Sequence, residues 1–80
     1  MTIAAWPNPT SDLLNLQVSG QGNDMIRIRI MDLQGRIVME RNVRKNDVNI
    51  VLPVSGLNAG MYILNVEAGQ QHERLKVIVR

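Results

Sequence analysis

Ile26-Arg27-Ile28-Arg29-Ile30 alternates strictly between apolar and charged residues, and this constrains the chain more than any other stretch. A side-chain period of two puts three isoleucines on one face of a β-strand and two arginines on the other, which no helix can do. A strand with one apolar face must bury it against a second layer. The same period returns in Leu14, Leu16 and Val18, in Val48, Ile50 and Leu52, in Tyr62, Leu64 and Val66, and in Leu75, Val77 and Val79. A short Ile3 to Trp6 segment and a return strand from about Arg36 to Val43 complete the pattern, and no segment has a helical period. The expected fold is all-β, a seven-stranded antiparallel immunoglobulin-like β-sandwich. Eighty residues make one domain, residues 1–80.

The turns carry their own signals. Trp6-Pro7-Asn8-Pro9-Thr10 cannot be helical, because two prolines fix φ and push their predecessors extended. Thr10, Ser11 and Asp12 then offer oxygens that bond nearby amides. Asp32-Leu33-Gln34-Gly35 reads as a hairpin loop: the aspartate reaches the amide two residues on, and glycine ends a type I turn. In Leu57-Asn58-Ala59-Gly60-Met61-Tyr62 the chain's only tyrosine follows a turn glycine into a strand. That spacing suits a sandwich corner in which the ring fills the end of the core and the hydroxyl returns to upstream backbone. Leu57 would plug the corner, and Gly60 would take a positive φ.

The absence of cysteine excludes a disulfide framework and any thiolate metal site. With no phenylalanine, the core must come from Leu, Ile, Val and Met. A net charge of +2 without a basic run or aromatic platforms argues against a nucleic-acid partner. No window is long and apolar enough to span a membrane, and residues 1–5 lack the features of a signal peptide. A chain that begins almost directly with a strand is expected to be a piece of a longer protein.

Little in the sequence carries chemistry. His72 is the only histidine and stands among Gln70, Gln71 and Glu73, as a solvated surface residue would. Asp24, Asp32 and Asp47 sit in separate turns, where capping backbone amides accounts for them. No catalytic group, metal site or cofactor is expected. Arg27 and Arg29 are read as a solvated face that blunts an edge, with a binding patch as the alternative. Met25, Met31, Val38, Val51, Met61, Ile63 and Ile78 fall on outward parity, where a free sandwich would prefer polar residues. Contiguous apolar surface of that kind marks a docking or self-association site, unless loops cover it or a parity is misassigned.

Trp6-Pro7-Asn8-Pro9-Thr10, Asp32-Leu33-Gln34-Gly35-Arg36, Leu57-Asn58-Ala59-Gly60-Met61-Tyr62 and the basic-apolar ending Leu75-Lys76-Val77-Ile78-Val79-Arg80 together resemble the C-terminal sorting domain of type IX secretion in order, spacing and length. The departures are tryptophan before Pro7, where tyrosine or phenylalanine is usual, and Arg80 where lysine is common. The resemblance implies a non-catalytic address at the end of a larger cargo that reaches the periplasm by an ordinary signal peptide. There the folded domain is recognised by the outer-membrane translocon, and a sortase cuts before it, expected here before Trp6, to couple the cargo to anionic lipopolysaccharide on the cell surface of a Gram-negative bacterium. In a few machinery components the domain is retained for docking. Trp6, Pro7, Asn8, Pro9, Asp32, Gly35, Leu57, Gly60 and Tyr62 would then hold the fold, while Leu75, Lys76, Val77, Ile78, Val79 and Arg80 would form an exposed last strand for the translocon to pair with or read. On this reading, deleting residues 76–80 abolishes export and leaves a folded domain.

The competing reading is a fibronectin-type or immunoglobulin-like adhesion or carbohydrate-binding module, with Trp6 as sugar-stacking platform. The proline turn favours a packed Trp6 over an exposed one. A hydrolase fragment is disfavoured by the missing constellation of catalytic groups.

Overall fold

The computed structural model describes residues 1–20, 22, 25–44 and 48–80. Seven strands follow the alternating segments: β1 Thr2–Trp6, β2 Leu13–Ser19, β3 Ile26–Met31, β4 Ile37–Val43, β5 Val48–Pro53, β6 Gly60–Ala68 and β7 Gln71–Val79. They form two sheets, one ordered β1-β2-β5 and the other β4-β3-β6-β7, with every strand pair antiparallel. The parts of the turns expected around Asp24 and Asp47 lie outside the described residues. β3 is an interior strand flanked by β4 and β6, so Arg27 and Arg29 blunt no edge, contrary to the sequence expectation.

The core is the one that alternation demands. Leu14, Leu16, Val18 and Leu52 from the first sheet meet Ile26, Ile28, Ile30, Leu64, Val66, Val77 and Val79 from the second, all buried. Val54, one residue past the end of β5, joins them because Val54 N donates to Asp12 O at 2.8 Å and holds the loop against the sheet. Thr10 is buried too, and its Oγ1 donates to Leu13 O at 2.7 Å. The hydroxyl thus serves a carbonyl, where the sequence suggested it would serve an amide.

Tyr62 forms the expected corner. The ring is 7 % exposed and Oη donates to Asn58 O at 2.6 Å. Leu57 is partly buried against the core that includes this ring, and Gly60 opens β6 at φ +158°, on the positive side as expected. In the β3–β4 turn, Asp32 Oδ1 accepts from Gln34 N at 2.9 Å and Arg36 N at 3.0 Å, while Gly35 N donates to Asp32 O at 3.0 Å. Gly35 sits at φ +87°, a conformation open to glycine without steric cost. The amide of Arg36, followed by the Arg36 guanidinium and the Gln34 amide, holds the Asp32 carboxyl below its ordinary value.

Two predictions follow from the corner and the turn. Tyr62→Phe removes the bond to Asn58 and should lower stability by about 1 kcal/mol, whereas Tyr62→Ala empties the ring's site and should lose about 3–5 kcal/mol, enough to unfold a domain this small. Urea unfolding of the two variants measures the difference. Because the turn binds the ionised form of Asp32, its contribution is whole above the ordinary aspartate pKa of about 3.9 and disappears as pH falls through the lowered native value. Carboxyl carbon NMR should give Asp32 a midpoint below that of a free aspartate. A midpoint at or above it would contradict the hydrogen-bonded turn.

Candidate functional site

β7 is an edge strand, yet the last part of its edge is closed. The chain leaves β1 at Trp6, passes through two cis X-Pro bonds and crosses to the other sheet. There Asn8 Nδ2 donates to Lys76 O at 2.8 Å and Asn8 Oδ1 accepts from Ile78 N at 3.0 Å, so one side-chain amide stands in for a peptide of a neighbouring strand. Thr10 continues the pairing in parallel: Thr10 N donates to Ile78 O at 2.9 Å, and Arg80 N donates to Thr10 O at 2.8 Å. The Pro-Asn-Pro segment and the last strand are therefore one structural unit. Sequence reasoning treated Asn8 only as part of a rigid turn. The missed signal is an asparagine between two prolines, where neither neighbour has an N–H to give and the side chain supplies both donor and acceptor.

The six residues of the last strand singled out by sequence divide by parity. Val77 and Val79 are buried and Leu75 packs on the core, so these three side chains face inward. Lys76 and Arg80 are exposed and Ile78 half-buried, on the opposite parity. Removing residues 76–80 would delete two core side chains and both backbone partners of Thr10. That truncation cannot leave the domain intact, which corrects the sequence expectation.

The outer face of the four-stranded sheet has two halves. In one, Met31 lies between Ile37 and Ile63, Ile63 lies opposite Lys76, and Met61 lies opposite Ile78. Four of the seven outward apolar residues expected from sequence are gathered here, joined by Ile37, which alternation in the irregular β4 did not reveal. Register shifts between Ile30 and Met31 bring Ile37 rather than Val38 beside Met31. Met25 and Val51 are exposed elsewhere. In the other half, Arg29 stands 3.2 Å from Glu40 and 3.6 Å from Glu67, and Asn65 Nδ2 donates to Glu67 Oε1 at 3.1 Å. Arg29 is thus paired. His72 is exposed opposite Glu67.

The outer face of the three-stranded sheet differs in chemistry. One row across it is Trp6, Asn15 and Val51, the next is Ala4, Gln17 and Asn49, and Leu13 lies opposite Pro53. Trp6 is 46 % exposed, and Asn15 Nδ2 donates to its carbonyl at 3.1 Å. The expectation of an indole packed under the proline turn is therefore wrong. Trp6 ends β1 on the outward parity set by Thr2 and Ala4, and the turn begins only after it. Among the described residues, no three acidic, histidine or cysteine side chains converge to hold a metal ion. Nor do the described residues form a helix long and apolar enough to cross a membrane.

No curated protein matches the chain. The family described as the secretion system C-terminal sorting domain matches residues 4–80, which takes in the Pro-Asn-Pro clasp, the aspartate turn, the tyrosine corner and the whole of β7. The chain belongs to this family, whose members are non-catalytic C-terminal sorting signals of type IX secretion that engage the secretion machinery and direct export through the outer membrane of Gram-negative bacteria.

Proposed function

We propose that residues 1–80 are a single sorting domain of a larger exported protein, read in the periplasm by the outer-membrane translocon and then by a sortase, and acting throughout as ligand and substrate rather than enzyme. The strand order, with Tyr62 at the corner near the start of the sixth strand after Gly60, supports an immunoglobulin-like sandwich as the folded form that is recognised. One observation carries the choice of surface: the edge of β7 from Lys76 to Arg80 is occupied by Asn8 and Thr10, while Lys76, Ile78 and Arg80 share the outward parity. Strand addition at this end would have to displace the clasp. Reading of the face requires no rearrangement, so the translocon reads Lys76, Ile78 and Arg80 together with the apolar cluster of Met31, Ile37, Met61 and Ile63. Two cations beside exposed apolar area fit a partner that offers carboxylates around an apolar centre. The same cluster is the surface for any self-association.

The test is a reporter carrying this domain behind a signal peptide in a host with an intact type IX system. Lys76→Glu with Arg80→Glu reverses the charge without touching the core, and Ile78→Glu interrupts the apolar cluster. Each variant should fall at least about tenfold in surface reporter while its far-UV circular dichroism stays native, since losing a desolvated contact is worth roughly 1.4 kcal/mol or more. Undiminished export of the folded variants would refute face reading. Asn8→Ala removes the two side-chain bonds of the clasp and should lower stability by about 1–3 kcal/mol, measured by urea unfolding. Freed backbone groups at Lys76 and Ile78 should then exchange amide hydrogens faster at Ile78 than in the parent protein.

A further inference from the structure

The opposite face of the sandwich is free of charge. The protein carries nine basic and seven acidic residues, yet none of the described residues on the outer face of β1, β2 and β5 is ionisable. In their place stand the one tryptophan, the amides of Asn15, Gln17 and Asn49, and aliphatic Val51 and Leu13, which are 52 % and 48 % exposed. The other sheet shows arginine, lysine, glutamate and histidine on the equivalent surface, so the neutrality is local.

We propose that this face binds a neutral oligosaccharide, with Trp6 as stacking platform. Three observations lead there. First, the indole is exposed on a sheet surface beside the amides of its own row and the next, with Asn15 directly opposite and Gln17 and Asn49 paired across β2 and β5. An aromatic face takes the C–H side of a sugar ring while neighbouring amides, each both donor and acceptor, take its hydroxyls. Second, Asn15 Nδ2 is bonded to Trp6 O, which uses one of its two amide hydrogens and holds the amide next to the ring. The site is thus positioned before any ligand arrives. Third, none of the described outward side chains of these three strands carries a charge with which an anionic or cationic ligand could pair.

Trp6 is the only tryptophan, so its fluorescence reports this face alone. Cellotriose, maltotriose and tri-N-acetylchitotriose are titrated separately into the 80-residue chain. At least one should shift the emission saturably, and the midpoint should be the same at 0.1 M and 1 M sodium chloride (about a threefold change in screening length), because no ion pair is involved. Calorimetry should find that binding is lost in Trp6→Ala and weakened about five- to tenfold in Asn49→Ala, an exposed position where the fold is retained. The proposal is overturned if none of the three sugars gives a saturable shift. It is equally overturned if the shift depends on protein concentration and sedimentation finds a dimer that Val51→Lys dissociates, which would assign the face to a second copy. Export of the reporter described above is a separate readout, so either reading can fail without the other.

Discussion

Two sheets held together without a disulfide or a phenylalanine depend on how closely branched aliphatic side chains interdigitate. Leu14, Leu16 and Leu52 project from one sheet into the rows of Ile26, Ile28 and Ile30 from the other, each essentially free of solvent. Such side chains have few rotamers and fill a thin core only if register is exact to the residue, since a slip of one residue would turn every isoleucine of β3 outward. The tyrosine corner and the aspartate turn both act on that register. One ties the loop before β6 to the Tyr62 ring of that strand, and the other fixes where β4 begins relative to β3.

The periodic part of this architecture is legible in the sequence because burial on one face writes itself as alternation. All seven strands stand where alternation and turn residues suggest, to within a residue or two, and Tyr62, Leu57 and Asp32 do what their spacing implies. What could not be read is the relation between segments distant in sequence. Nothing in Trp6 to Thr10 states that Asn8 will face Lys76 and Ile78, because that partnership is set by which sheet edge the chain passes, not by any local pattern. Trp6 failed for a related reason: the rigidity of the proline turn said nothing about the parity of the residue before it. β4 was hard to read because its irregular pairing breaks the alternation on which such reading depends, hiding Ile37 on the outer face.

The sandwich thus offers two surfaces of unlike chemistry, back to back and separated only by a single layer of core side chains from each sheet. One joins an apolar cluster to Lys76 and Arg80, with Arg29 neutralised beside it by Glu40 and Glu67. The other holds amides and an indole without charge. If the two faces bind as proposed, salt would weaken the contribution of the first and leave the second almost untouched, and a partner on one face would not obstruct the other.

The clasp joins Asn8 to residues 68 and 70 positions later in the chain. Closing a loop that encompasses nearly the whole domain has an entropic cost repaid only when β7 is already seated on β6, and topologies built on such distant pairings fold slowly. A ribosome that has not yet delivered Lys76 to Arg80 holds a chain with no partner for Asn8 and Thr10 and with Val77 and Val79 missing from its core. Completion of the fold therefore waits on Lys76 to Arg80, which supply the partners of Asn8 and Thr10 and the last two side chains of the core.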